Sequence, residues 1–393
     1  MSILAIPEEL LALRDSVRSF VDREVAPFDE AHQEELNEYG RIDSATALEV
    51  RRELRKRSVA AGFYAMHMPE DVGGANVSAL GMALCQEAVA ASGSYFAEHG
   101  GVFSGTEGPT PMLLDCNEEQ RATYLEPLMK AERETCFALT EPEAGSDATA
   151  IRTRAERDGD GWVINGRKHF ITHGQYADVI QLFAVTEPGL GARGGITFFL
   201  VDADTPGVEV TRIQRTTGVD LPAELTFENV RVPDSAVVGE VGYGFRSAMK
   251  WINKGRIEIS AMAVGKASWL VDRMVDYAQQ RTAFGSPIGR YQAVQQHVVD
   301  SVTELEQARL LVYAMADRVD RGDNARQAGA MAKLVSTEMV GRVADRAIQV
   351  YGGNGVMTEM GIERFWRDVR VMRLYEGTTE ILRGTVAKTL GLG

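Results

Sequence analysis

The sequence predicts an α+β protein of three consecutive parts: a helical N-terminal domain over 1–135, a β-barrel or sandwich domain over 136–240, and a C-terminal four-helix-bundle domain over 241–393. Three observations predict it. Apolar residues recur every three or four positions at both ends of the chain. Between 136 and 240 the pattern changes to short β-rich runs separated by Gly, Pro and Asp. Past 241 the helical spacing of three and four returns in long segments.

The elements follow in order. Pro7-Glu8-Glu9 opens a helix with Leu10, Leu13, Val17 and Phe20–Val21 on one face. Residues 44–61 form another, with Ser44 as its cap and Arg, Lys and Glu side chains along one face. Residues 81–91 read as a buried helix of small residues, and Gly100, Gly101, Gly105 and Gly108-Pro109 mark breaks. In the middle segment, Asn165-Gly166 reads as a hairpin turn between Trp162-Val163-Ile164 and Lys168–Thr172. Further strands are expected at Val179–Val185, Ile196–Val201, Val208–Ile213 and Glu224–Phe227. Long helices are expected at 245–280, 291–320, 325–351 and 362–375, with Gly322-Asp323-Asn324 separating the middle pair.

Composition narrows the function classes. With 42 basic and 56 acidic residues the net charge is −14, which disfavours phosphate backbones and anionic membranes as partners. No apolar run is long enough to span a bilayer. The N-terminus lacks the basic and apolar regions of a signal peptide, and three cysteines without a CxxC fit a reducing cytoplasm, so a cytoplasmic protein is expected. Gly189–Gly194 matches GxGxxG, but a β-run follows it where a dinucleotide fold needs a helix, so it reads as a β-loop. Ser247–Lys250 matches SxxK without the partner motifs of a serine acylase. His169 and His173 have no acidic or Cys companions in sequence, and no metal site is expected.

Three segments carry chemistry. Phe137–Asp147 lies where helix gives way to strand, with hydroxyls at Thr140 and Ser146 and a bend at Gly145 beside free main-chain N–H groups. Gln349–Val356 places three glycines within four residues after a helix, which suits close approach to a flat or charged group or a simple helix stop. In Tyr375–Ile381, Gly377 breaks one helix, Thr378 or Thr379 caps the next, and Glu376 sits at the junction. A carboxylate among apolar neighbours there has the raised pKa of a general base, whereas one in water is an ordinary helix-end glutamate.

In this order and on this α–β–α layout, the segments resemble the acyl-CoA dehydrogenase family of flavoproteins. One family signature is matched from Ala138 to Ala150, a second from Gln349 to Asp368, and Met68–Gly74, Trp162–Gly166, Phe170–Thr172 and Arg281–Ile288 match between them. The resemblance implies FAD, with Phe137, Leu139, Thr140, Gly145, Ser146, Phe170, Ile171 and Thr172 on the flavin side. Arg281, Phe284 and Gln292 would hold the adenosine diphosphate part, with Gln349, Gly352 and Gly353 of a neighbouring subunit. Thr378 and Glu380 would lie beside the cofactor. Ser146, Asn253, Arg256, Tyr375 and Gly377 would serve substrate binding.

Glu376 matches the family's base. Some members carry the base near 255, but Gly255 cannot serve. The implied reaction is oxidation of an acyl-CoA to a trans-2-enoyl-CoA, with the α-proton going to Glu376 and the β-hydride to flavin N5. Electrons would pass to an electron-transferring flavoprotein. The assembly would be a homotetramer, a dimer of dimers, acting in fatty-acid β-oxidation. A flavin oxidase using O₂ and a DNA-associated relative are the alternatives. Two departures from the family pattern are His173, where Asn is usual, and a longer glycine-rich stretch over 93–110.

Overall fold

A computed structural model describes residues 5–36, 42–97, 101–218 and 220–392. The order of elements is helical, then β, then helical. Helix α1 (Glu8–Phe20) continues through a wider turn at Val21–Val25 to Ala31. Helix α2 (Ala45–Ala60) is capped by Ser44, whose Oγ accepts from the Ala47 N–H at 3.0 Å. Helix α3 (Ala79–Ala90) is capped by Ser78 and buries most of its length, as its small apolar residues predict. Gly101 supplies one of the expected breaks: a Cβ there would sit 1.6 Å from the Phe96 carbonyl oxygen. Gly100 lies outside the described residues.

Seven strands form one curled sheet: β1 (Thr135–Ala138), β2 (Arg154–Asp158), β3 (Gly161–Ile171), β4 (Val179–Val185), β5 (Ile196–Asp202), β6 (Val208–Ile213) and β7 (Ala223–Pro233). The order is β1-β4-β2-β3-β7-β6, and β5 pairs with β4 in register from Val179↔Asp202 to Val185↔Ile196. Gly189–Gly194 lies in the β4–β5 loop, as the β-loop reading expected.

The expected turn at Asn165-Gly166 does not exist. β3 runs straight through it, and the hairpin turns at Gly159, between β2 and β3. Gly166 is needed for close approach: a Cβ would lie 2.4 Å from Thr153 Oγ1. Asn165 stays paired with Arg154 of β2 but is skipped in the ladder with β7, where its Oδ1 accepts from the Asn229 N–H at 2.8 Å.

The C-terminal helices are α4 (Gly244–Gln280), α5 (Gln292–Asp320), α6 (Ala325–Tyr351), α7 (Ile362–Val371) and α8 (Thr379–Thr389). Between α4 and α5 lies a small hairpin, β8 (Thr282–Ala283) with β9 (Ser286–Pro287). Helices α4, α5 and α6 bury a common core with α3, including Leu84, Val264, Leu270, Leu305, Val312 and Val340. Helix α7 stops at Val371, short of the expected 375; the chain turns over Met372–Glu376, where Gly377 and the cap Thr378 restart it.

Glu49, Glu53, Lys56 and Arg57 of α2 are exposed, but two of its arginines are not solvated. Arg51 and Arg55 are buried, 3% and 1% exposed. They meet Glu134 at 3.4 and 3.0 Å, and Arg51 Nη1 lies 3.1 Å from His173 Nε2. Burial pulls His173 down to about 4, so the ring is neutral beside Arg51. The family departure at His173 thus belongs to a buried network that also takes in Glu107 of the glycine-rich stretch.

Candidate active site at the α7–α8 turn

The turn between α7 and α8 lies against α4 and α6. Glu376 has φ 51, a left-handed conformation that costs a non-glycine residue about 1 kcal/mol or more. Gly377 follows at φ +102, and a Cβ on it would sit 3.1 Å from Arg256 Nη2. Three bonds hold the turn. Arg256 Nε on α4 donates to the Glu376 carbonyl at 3.0 Å. Lys333 Nζ on α6 donates to the Met372 and Gly377 carbonyls at 2.9 and 3.0 Å. Arg256 is itself oriented by Asn253, whose Oδ1 accepts from Nη1 at 3.0 Å.

The Glu376 carboxylate rests on Gly255. A Cβ at that position would lie 3.4 Å from Oε2 and 3.6 Å from Oε1, so a large side chain at 255 would occupy the carboxylate's place. Oε2 is buried with no hydrogen-bond partner. Burial pushes the carboxyl up to about 7, with the cations of Lys333 and Arg256 pulling it back and the charge of Glu258 adding to the rise. Lys333 moves the other way, down to about 8, because burial costs its ammonium more than Glu376 returns. A carboxyl poised near neutrality is the state a general base requires, and this one is no solvated helix-end glutamate. The Glu376 N–H makes no hydrogen bond among the described residues, leaving a donor next to the carboxylate.

The other predicted residues fall into two groups. The first borders the sheet. The Phe137 ring packs on Trp251 of α4 at 5.0 Å, one helical turn from Gly255, so β1 reaches the wall on which Glu376 rests. Thr140 is paired with β3 through its carbonyl, which accepts from the His169 N–H at 2.8 Å. Leu139 and Ile171 point into the core, 4% and 1% exposed, so only their main chain faces outward. Gly145 and Ser146 lie exposed in the loop after Glu141, Phe170 is 59% exposed at φ 56, and Thr172 follows half-buried.

The second group is remote. Arg281, Phe284 and Gln292 lie at the α4–β8–β9–α5 corner, about 38 Å along α4 from Gly255. Gln349, Gly352 and Gly353 end α6 at the same end of the bundle, where Tyr351 stacks on Tyr277 at 4.0 Å. One chain therefore does not bring this group to Glu376. Thr378 caps α8, its Oγ1 accepting from the Ile381 N–H at 3.4 Å; Glu380 is exposed on the first turn and Tyr375 stands by Lys333, 5.6 Å from Nζ to ring centre.

Three site residues were not singled out from sequence. Lys333 is the single charged residue between Arg326 and Glu338 of α6, and that isolation was the available signal. Lys168 occupies an inward position of β3; its Nζ donates to Glu141 Oε1 at 2.8 Å and to the Leu139 carbonyl at 2.9 Å, fixing the base of the 141–147 loop. Glu141 also accepts from the Arg152 and Thr153 N–H groups at 2.6 and 2.9 Å. The third is Glu258. Among the described residues no cluster of His, Cys, Asp and Glu could hold a metal.

The exposed Phe170 ring and the exposed loop anchored at Glu141 suit a flat, acceptor-rich ligand, while the orphaned Glu376 oxygen suits a ligand that brings a proton.

Comparison with known proteins agrees. The acyl-CoA dehydrogenase N-terminal, middle and C-terminal domain models match residues 7–132, 136–230 and 242–391. An acyl-CoA dehydrogenase of Bacillus subtilis is 36% identical over 98% of both chains. The 3-(aryl)acrylate reductase of Clostridium sporogenes is 35% identical, covering 96% of this chain and 97% of its own. Among solved structures, butyryl-CoA dehydrogenase from Megasphaera elsdenii superposes with a TM-score of 0.86 at 29% identity, covering 99% of this chain and 100% of that one. A complex of PigA with FAD gives 0.87 at 27% identity over both whole chains. A structure described as the electron transferring flavoprotein of Acidaminococcus fermentans gives 0.86 at 30% identity over 99% of each. The chain belongs to the acyl-CoA dehydrogenase family and is an FAD-dependent oxidoreductase.

Proposed function

We propose that this protein oxidises an acyl-CoA thioester between its α- and β-carbons, giving a trans-2-enoyl-CoA, with Glu376 as the base. The observation that carries the reading is the Glu376 carboxyl itself: desolvated, near neutrality, resting on Gly255 and held on a strained turn by Arg256 and Lys333.

Glu376 takes the α-proton. Its own N–H is free to polarise the thioester oxygen as negative charge develops there, so donor and base come from one residue and move together. Arg256 and Lys333 fix that residue through main-chain carbonyls and keep enough positive charge nearby for the carboxylate to form. FAD, when bound, accepts the hydride leaving the β-carbon. Phe137, Thr140, Ser146, Phe170 and Thr172 would hold its ring end, over the loop braced by Glu141 and Lys168. Arg281, Phe284 and Gln292 would hold the adenosine end, with Gln349, Gly352 and Gly353 of another subunit. The separation of that group from Glu376 and the 96% exposure of Phe284 support an assembly such as a homotetramer. An electron-transferring flavoprotein is the proposed acceptor, in keeping with the Acidaminococcus neighbour.

The Clostridium relative supports a second direction for the same site, reduction of an unsaturated acyl group. Glu376, near neutrality, would then return the proton. The test is Glu376→Gln. The variant should retain FAD and lose thioester-dependent flavin reduction by orders of magnitude. Reduction at the wild-type rate would overturn the assignment of the base.

A further inference from the structure

Glu258 follows Gly255 by three residues on α4, and residues at that spacing share one face of a helix. Gly255 is the floor beneath the Glu376 carboxylate. A helical Cα–Cβ bond leans toward the N-terminus, so the Glu258 side chain leans back along that face toward 254 and 255. The electrostatics agree: Lys254 acts on Glu258, and Glu258 acts on Glu376.

The two oxygens of Glu258 are treated unequally. Oε2 accepts from Gln86 Nε2 on α3 at 3.2 Å, whereas Oε1 makes no hydrogen bond among the described residues. Helix α3 is a firm support for Gln86, because it packs so closely on α4 that a Cβ at Gly265 would lie 2.5 Å from the Glu87 carbonyl. Glu258 retains accessible area, yet burial pushes its carboxyl up to about 7. Its place on the Gly255 face of α4 and its bond to Gln86 put the carboxyl beside the wall on which Glu376 rests. Its charge adds to the rise at Glu376, but its own oxygens take no part in moving the proton. An alkyl chain lying against this wall would strand Oε1 without a partner, and a chain bearing an O–H or N–H would satisfy it.

We propose that Glu258, positioned by Gln86, determines specificity by selecting acyl thioesters whose chain carries a hydroxyl or amide N–H a few bonds beyond the α-carbon, over plain alkyl thioesters of the same length. This inference rests on the acyl-CoA reading above.

The experiment compares kcat/KM of the FAD-loaded enzyme for butanoyl- to octanoyl-CoA with their terminal hydroxy and amide counterparts. At the best chain length the wild type should favour the polar member by about 10- to 100-fold, the range for one buried hydrogen-bonding group left without a partner. Glu258→Leu and Gln86→Leu should bring the ratio close to unity. Glu258→Gln keeps an acceptor oxygen and should retain part of the preference. FAD content and the melting midpoint of each variant separate loss of preference from loss of fold. Equal rates for both series in the wild type, or an unchanged preference in Glu258→Leu, would overturn this inference alone. Failure of every thioester to reduce the flavin would overturn the acyl-CoA reading and this inference with it.

Discussion

Replacing Lys333 by Met should damage catalysis far more than folding. Lys333 is fully buried, and its Nζ binds the carbonyls on both sides of Glu376. Bonds from a charged donor are worth about 1.5–3 kcal/mol each. Folding also holds the ammonium in a site where its pKa falls from 10.5 to about 8, an opposing cost of about 3 kcal/mol at neutral pH. Two such bonds outweigh that cost by about 0–3 kcal/mol, so the variant should lose no more than about 3 kcal/mol of stability. The effect on Glu376 has no such offset. The largest attraction holding its carboxylate in the charged form is lost, so its pKa, already about 7, should rise further. A base works only when deprotonated, so the acidic limb of kcat/KM should move to higher pH. At a fixed pH on that limb, the rate should fall about tenfold for each pH unit the limb moves. The assay is the pH profile of kcat/KM with the best thioester, alongside FAD content and the unfolding midpoint. An unmoved acidic limb in a folded, FAD-loaded variant would refute the electrostatic role of Lys333.

Other perturbations separate the parts of the site. Gly255→Ala places a Cβ 3.4 Å from Glu376 Oε2, an ordinary contact; it should keep activity within a few-fold and stabilise α4 by about 1 kcal/mol, measured by kinetics and thermal unfolding. Gly255→Val adds bulk where the carboxylate lies and should lower kcat by about 100-fold or more with the fold intact. Glu134→Gln leaves Arg51 and Arg55 buried with one counter-charge fewer and should cost about 3–5 kcal/mol in denaturant unfolding at pH 7. In the wild type Glu134 is held at about 2 despite its burial, chiefly by Arg55 and Arg51. Its stabilisation is therefore complete above the ordinary value of 4.5 and should be lost as pH falls from there toward 2, seen as a falling melting midpoint. Lys168→Met breaks the pair under the 141–147 loop and should weaken FAD retention by about tenfold or more, measured by equilibrium dialysis.

Local patterns in the chain reach far into this fold, and they fail where a residue's meaning depends on a distant partner. The spacing of α4, α5 and α6 gives their limits to within a residue because each helix buries one long stripe. Asn165-Gly166 carries the residues of a tight turn, yet the glycine is there to let Thr153 approach. The Arg, Lys and Glu spacing of α2 gives no sign that Arg51 and Arg55 are buried, because their carboxylates come from residues 107 and 134. At the site, the helix break at Gly377 and the cap at Thr378 mark Glu376 locally. Its poise near neutrality depends on Lys333, Arg256 and Glu258, brought in by α4 and α6, and no periodicity reveals it.

Anaerobic titration of the purified protein and of Glu376→Gln with a panel of acyl-CoAs, followed at the visible flavin band, tests the central claim most directly. At least one acyl-CoA should bleach the band of the wild type, and the same compound should leave the variant oxidised on the same timescale. A wild-type flavin that no thioester reduces, or a variant reduced as fast as the wild type, would contradict the account.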